Sequence, residues 1–443
     1  MGRKKGCFLS LILTVLIVVG LTVTAFYYFN KERAYRYFPN NPQFVARIDN
    51  HRAFLHLTAP FVQKNEKLRT LLNLPLIKHI PAPRVYVVID KKGEAYMFAE
   101  LSFAARFLKE YGKVDKNVFC FTTNKTFDLV PTEHTEKNET LREFVTKKHD
   151  GDAMFYYPVP QSEKFPFLNN KILEGTINAQ SSANALQIHL KLPYEYKKVG
   201  FTSVSSFDKY IPDRPDMYVM LTFDDFEVHY AALRKLVFQT DFFQSFYQTK
   251  LMVFDKSGID IENHLIPMVS ERFYIGVYNK TSVMCLGSGS VEKRMNQVET
   301  DLVNRFPIEF ETRDYNGTSF KTPVITGILG FLARGIAGDS IEGLKRPFYY
   351  MNNDVFFLFD SLESLKHYVD RDEKHNLRRD ELHKKMENLL PSDRHITVFL
   401  SDRMVRDMAK KQEVSENIGH VIGAFSFSEQ NLDGTIVIRL NEQ

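Results

Sequence analysis

The sequence predicts an α+β fold: an N-terminal transmembrane helix followed by two related α+β units with antiparallel sheets. Three observations carry that expectation. An uncharged run of 24 residues stands near the start, from Cys7 to Asn30. Proline-containing turns recur just ahead of short apolar segments, which is a strand signal. Blocks of the first half return in the same order in the second. With 443 residues, 44% hydrophobic and 25% charged, the chain has ample material for packed domains and is not a disordered polymer.

The first element is the run CFLSLILTVLIVVGLTVTAFYYFN at 7–30. A helix needs roughly 20 apolar residues to cross about 30 Å of hydrocarbon, where it satisfies its own backbone. Phe26, Tyr27, Tyr28 and Phe29 close the run where an interfacial aromatic belt would lie. Arg3, Lys4 and Lys5 precede it, and the cytoplasmic flank of a crossing is the basic one. The expected topology therefore has a cytoplasmic tail at 1–6, a juxtamembrane linker at 31–37 and everything beyond outside. The competing reading is a signal peptide cut after Ala25. Both place the bulk of the chain in an extracytoplasmic (periplasmic or extracellular) location, and the anchored form has the lipid bilayer as a partner. The run PVITGILGFLARGIA at 323–337 is too short and glycine-rich for a second crossing; a buried helix or loop fits it, or a segment lining an apolar groove.

The first α+β unit is expected at 38–205 and the second, larger one at 206–443. In the first, Phe38-Pro39-Asn40-Asn41-Pro42 leads into the strand-like FVARID; in the second, Ile211-Pro212-Asp213-Arg214-Pro215 leads into MYVMLTFDD. Leu390-Pro391-Ser392-Asp393 before HITVFLSD is a weaker third copy. Residues 71–100 resemble 259–288, each reading as a short helix, a proline, a strand, a tight turn and an antiparallel strand. Helices are expected next, at 103–111 and 291–306. Strand pairs follow around Asn124-Lys125 and Asn316-Gly317, the latter a good hairpin turn because both residues tolerate positive φ. Each half ends in an alternating hairpin, at 172–190 and 421–440. Residues 362–390 predict a helix with a solvated charged face, broken near His375-Asn376. With 38 Phe, 21 Tyr and no Trp, the core must be aromatic-rich.

Charge excludes one class of partner. Lys and Arg number 58 against 54 Asp and Glu, and residues 1–34 hold five of those bases and one of the acids, so the remaining 409 residues balance. A nucleic-acid binder would carry its basic excess on the folded part, and none is present overall. Catalytic signatures are missing too: there is no His-Glu-x-x-His, no Gly-x-Ser-x-Gly and no phosphate loop. His367, His375 and His383 recur every eight residues, which on a helix sets neighbours some 12 Å apart, too far for a shared metal. The best polar cluster is Asp224, Asp225, Glu227 and His229. Extended, it would place Asp225, Glu227 and His229 on one face as a cation or general-base patch; the plainer reading is a strand-to-helix turn capped by an aspartate. No catalytic, cofactor-binding or metal residue is assigned, and no cofactor is expected. Cys120 and Cys285 sit in expected strands, one in each half, as buried thiols or as a bridge. Asn124, Asn138, Asn279 and Asn316 stand in glycan-acceptor triplets.

The anchor, the repeated turn-then-strand blocks and the segments LPLIKHIPAPRVYVVID, GIDIENHLIPMVSERFYIGVY and NLDGTIVIRL together resemble a bacterial family of membrane-anchored exported proteins classed as a domain of unknown function. The resemblance would cover most of 38–443. Members more often show Gly-Xaa-Asp and then Gly-Glu before the strand; Gly258-Ile259-Asp260 fits, whereas Ser270-Glu271 and Pro81-Ala82-Pro83 depart from it. It implies a bacterial envelope and a noncatalytic role, and supplies no site residue. The expected function is thus a single-pass envelope protein that binds or helps assemble another envelope component. The alternatives are carriage of a lipid or hydrophobic ligand, and a hydrolase using Asp225, Glu227 and His229.

Overall fold

Period-two apolar patterning, rich in β-branched and aromatic residues, makes strand the commonest element among the described residues. The computed structural model describes residues 34–40, 42–49, 84–100, 112–115, 118–122, 126–131, 139–161, 168–180, 184–193, 209–237, 247–248, 250–251, 254–255, 260, 262–263, 266, 269, 272–278, 281–287, 291–305, 310–323, 348–352, 355–371, 376–412, 418–428 and 430–441. Within them are 18 strands. By contact the chain divides into two compact units, Met1–Arg52 with Asn65–Tyr156, and Ala53–Lys64 with Tyr157–Gln443.

The first unit holds β1 (Phe44–Ile48), β2 (Val85–Ile89), β3 (Ala95–Glu100), β4 (Lys113–Asp115), β5 (Val118–Thr122), α1 (Glu139–Thr146) and most of β6 (Ala153–Pro158). Its antiparallel order is β6-β1-β2-β3-β5-β4. The β2–β3 turn forms as its sequence predicts. Asp90 accepts hydrogen bonds from the Lys92 and Glu94 amides at 2.8 and 2.9 Å, and Gly93 takes φ +74°. Phe38 packs between Tyr86 and Phe98, with ring centroids 5.5 and 5.0 Å away. Arg47, buried on β1, donates to the Val145 and Lys147 carbonyls at 2.7 and 2.9 Å. Those are acceptors left over at the end of α1, where a cation is also favoured by the helix dipole.

The second unit carries β7 (Ile172–Gln180), β8 (Ala185–Pro193), β9 (Met217–Thr222), α2 (Phe226–Val237), β10 (Arg272–Tyr278), β11 (Thr281–Gly287) and α3 (Val291–Arg305). It continues through β12 (Phe310–Tyr315), β13 (Thr318–Pro323), β14 (Phe348–Asn352), β15 (Val355–Phe359), α4 (Leu362–Asp370), α5 (Glu381–Glu387), β16 (Ile396–Leu400), α6 (Asp402–Gln412), β17 (Ile418–Phe427) and β18 (Asn431–Leu440). The antiparallel order is β7-β8-β18-β17-β16-β9-β10-β11-β15-β14-β13-β12. The Asn316-Gly317 turn is the expected tight one, with φ +45° and +77° and Tyr315 opposite Thr318. The helix expected over 362–390 is interrupted as predicted: α4 stops at Asp370, Asn376 makes an isolated bridge to Pro212, and α5 restarts at Glu381 behind an Asp380 cap.

Fold class and topology need correction. The expected α+β class gives way to a large antiparallel β architecture with few short helices, because the alternating segments pair strand to strand while the helices serve as short connections. Among the described residues no helix is long and apolar enough to cross a membrane. The longest, α3, has 15 residues and carries charge throughout, against the roughly 20 apolar residues a crossing takes. The expected transmembrane helix at 7–30 lies outside the described residues, as do 103–111 and 324–337. The single-pass topology, the signal-anchor, the bilayer as partner and the extracytoplasmic, envelope location all rested on that helix; no helix among the described residues supports them, and they are withdrawn.

Candidate functional site

A cavity of about 350 Å³ opens in the second unit where β10, β11 and β15 meet α4. Its apolar walls are Tyr278, Val283, Phe359 and Tyr368; Asp213, His367, Asp370 and Arg371 supply charge or potential charge. Strand alternation sets the first wall. Tyr274, Gly276 and Tyr278 share one face of β10, and the ring of Tyr274 lies across Gly276. A Cβ at 276 would sit 2.7 Å from two ring carbons of Tyr274 and closer still to its hydroxyl oxygen. Glycine there lets the Tyr274 hydroxyl reach that of Tyr278, at 2.6 Å. Tyr278 donates its own proton to the Pro212 carbonyl at 3.1 Å, so Tyr274 is the donor of the pair. Burial pushes both phenols well above their ordinary value, and Tyr274's is pushed further by the Tyr278 oxygen it bonds.

The floor is fastened by Asp360, at the end of β15. It accepts from the Ser282 amide and hydroxyl at 2.6 and 3.0 Å and from the Ser364 hydroxyl. Ser361 caps α4 by accepting from the Ser364 amide at 3.1 Å. The two serines of the cavity are thereby committed to structure. Asp370 is committed as well, to the Tyr315 hydroxyl and the Asn316 amide, both at 2.6 Å.

Arg371 is different. It follows the last turn of α4 and stacks over Tyr368, its guanidinium carbon 4.1 Å from the ring centroid. Its Nη2 donates to the Tyr210 carbonyl at 3.0 Å and to the Tyr368 hydroxyl at 2.9 Å. Its Nη1 is shut off from solvent and has no hydrogen-bond partner. A buried charged donor left unsatisfied costs about 1–3 kcal/mol, and Arg371 is one of the residues that line the cavity.

A second depression, about 580 Å³, is lined by Glu227, Tyr230, Arg234 and Glu262 among others. Its charges already answer one another. Glu262 accepts from the Tyr230 hydroxyl at 2.6 Å and from Lys250, with Arg234 at 3.5 Å. Burial opposes ionisation of Glu262, but the hydrogen bonds from Lys250 and Tyr230 and the neighbouring positive charges outweigh it and hold its carboxyl below the usual range.

The predicted acidic–histidine patch does not converge. Asp225 caps α2, its carboxylate accepting from the Val228 amide at 3.1 Å; Glu227 is exposed; His229 is buried against Phe223, ring centroids 3.8 Å apart. The three lie on a helix start, not on a strand, so i and i+2 diverge and the hydrolase reading falls. Lipid carriage finds no support among the described residues: the two cavities described carry charged walls, unlike the long apolar slot an acyl chain needs. His367 is exposed and His383 is buried, its Nε2 2.6 Å from the Tyr218 hydroxyl; His375 lies outside the described residues. Among the described residues no group of three His, Cys, Asp or Glu could hold a metal ion. Cys120 and Cys285 are buried free thiols, and burial pushes both up. Sequence reasoning missed Arg371, filed among the solvated charges of 362–390. The usable signal was an arginine three residues after Tyr368, a spacing that stacks the two on a helix. No family model matches this chain, and no curated protein does.

Proposed function

We propose that this protein binds a small organic acid, with an aromatic body seated among Tyr278, Phe359 and Tyr368 and its carboxylate on Arg371. The Arg371 guanidinium, on a residue that lines the cavity and with one donor unpaired, carries the reading. The cavity volume falls at the small end of the ~300–1,000 Å³ typical of small-molecule sites. The function proposed is recognition, because the hydroxyls of Ser282 and Ser364, the described serines on the wall, are held by Asp360. Calorimetric titration of the full chain with 3-phenylpropanoate tests it. Binding that Arg371→Lys weakens at least tenfold, with an unchanged melting temperature, supports the site. No binding at millimolar ligand, or equal binding by the variant, overturns it.

We further infer that the two units arose by duplication of one. The support is the shared pairing order, β6-β1-β2-β3-β5 in the first and β16-β9-β10-β11-β15 in the second, together with the echo of 71–100 in 259–288. Sequence profiles of 38–205 and 206–443, built separately, should detect each other; profiles that align only at random would count against it.

A further inference from the structure

We propose that the ligand of this cavity is an aromatic zwitterion, a small molecule bearing both an ammonium and a carboxylate, with Asp213 receiving the ammonium. The inference rests on the organic-acid reading of the same site and adds a second charge to it.

Asp213 lines the cavity that Arg371 lines, and it is half-buried. The other described acids at the cavity are already engaged: Asp360 by Ser282 and Ser364, Asp370 by Tyr315 and Asn316. Asp213 makes no hydrogen bond or ion pair among the described residues. Its neighbours fix its place. The Pro212 carbonyl accepts from Tyr278, Pro212 pairs with Asn376, and the Ile211 carbonyl accepts from the Leu377 amide at 2.9 Å.

The next residue, Arg214, is held at φ +53°, in the left-handed region that a non-glycine residue adopts at a cost of about 1–2 kcal/mol. Strain of this kind persists only where the surrounding structure over-determines it, and it gathers at ligand clamps. Tyr278 marks the separation of the two charges. Burial raises its phenol, and Arg371 and Asp213 act on it with opposite sign, so both lie within electrostatic reach of one wall hydroxyl.

A cavity with one unfilled cation and one unfilled carboxylate discriminates at both ends. A lone carboxylate ligand leaves Asp213 facing its charge, and a lone amine leaves Arg371 unfilled. His367 also lines the cavity and is exposed.

The test uses the full chain and three probes by calorimetry: L-phenylalanine, 3-phenylpropanoate, which lacks the amine, and phenethylamine, which lacks the carboxylate. L-Phenylalanine should bind at least tenfold more tightly than either fragment. Asp213→Asn should bring it down to the level of 3-phenylpropanoate while leaving 3-phenylpropanoate itself unweakened. Melting curves of Asp213→Asn identify any loss that comes from misfolding, and Asp213→Glu should then retain the preference for the zwitterion. If 3-phenylpropanoate binds as tightly as L-phenylalanine, or Asp213→Asn leaves both unchanged, the zwitterion inference is wrong and the organic-acid reading stands. If neither carboxylate binds, both are wrong. If phenethylamine alone binds and Arg371→Lys is indifferent to it, the site is a cation site and both are again wrong.

Discussion

Tyr86 on β2 and Tyr274 on β10 hold matching places in the two units, and the cavity described lies beside the second. Aligning 71–100 with 259–288 puts Val88 opposite Gly276 and Asp90 opposite Tyr278. In the first unit Val88 is fully buried. Asp90 is spent on the following turn and on the Tyr96 hydroxyl, which donates to it at 3.0 Å. In the second unit Gly276 leaves room for the ring of Tyr274, and Tyr278 becomes a hydroxyl-bearing wall. One removed side chain and one changed turn residue distinguish the two sheet faces at these positions. Tight packing explains the leverage: interiors have little free volume, so a single Cβ decides whether a ring can lie across a strand.

The sharpest way to break this contrast is Gly276→Ala. Its Cβ must displace the Tyr274 ring and its hydrogen bond to Tyr278, and it should lower unfolding stability by about 3 kcal/mol in denaturant titration. A cost no larger than that of a surface substitution would mean the glycine is not what opens the cavity.

Next in size is Tyr218→Phe, which strips the buried His383 of its 2.6 Å partner and should cost about 2 kcal/mol. If it is neutral, the pair contributes no net stability.

A pH effect follows from the same unit. Burial holds His189, His383 and His420 below the ordinary histidine value. Each stays neutral in the fold at a pH where the unfolded chain, titrating near 6.5, takes up a proton. Stability is therefore full above about pH 6.5 and declines as pH falls through that value toward the depressed folded ones. Denaturant midpoints at pH 7.5 and 5.5 should differ in that direction, and His383→Gln should narrow the difference; an unchanged gap would acquit His383.

The smallest effects should be equal in the two units. Gly93 and Gly317 both have positive φ and open space where a Cβ would go, so alanine at either should cost about 1 kcal/mol through backbone strain alone. Unequal costs would show that the two turns are not equivalent.

Much of this architecture was legible along the chain. The segments FVARID, MYVMLTFDD and HITVFLSD are β1, β9 and β16, and the Asp90–Gly93 and Asn316-Gly317 turns form where their residue types allow positive φ. The break at 376 was legible too. What misled was the weight given to helices. Local pattern shows that a segment can be helical, not how far pairing strands will outnumber it. The candidate site was half visible: the Ile211–Pro215 turn stood out as a repeated prelude to a strand, without any sign that Asp213 would line a cavity. Arg371 lies 158 residues further on. Two charges that far apart share no periodicity.

The sequence by itself determined where strands and turns occur, that a unit-like pattern recurs, and that the chain beyond its basic start is charge-balanced. These follow from alternation, glycine and asparagine chemistry, and counting. Only the tertiary structure decided that the strands pair antiparallel in the order seen, that Gly276 yields its space to Tyr274, and that Arg371 keeps one donor unfilled. Those outcomes depend on which atoms meet across long loops, where neither spacing nor composition carries information.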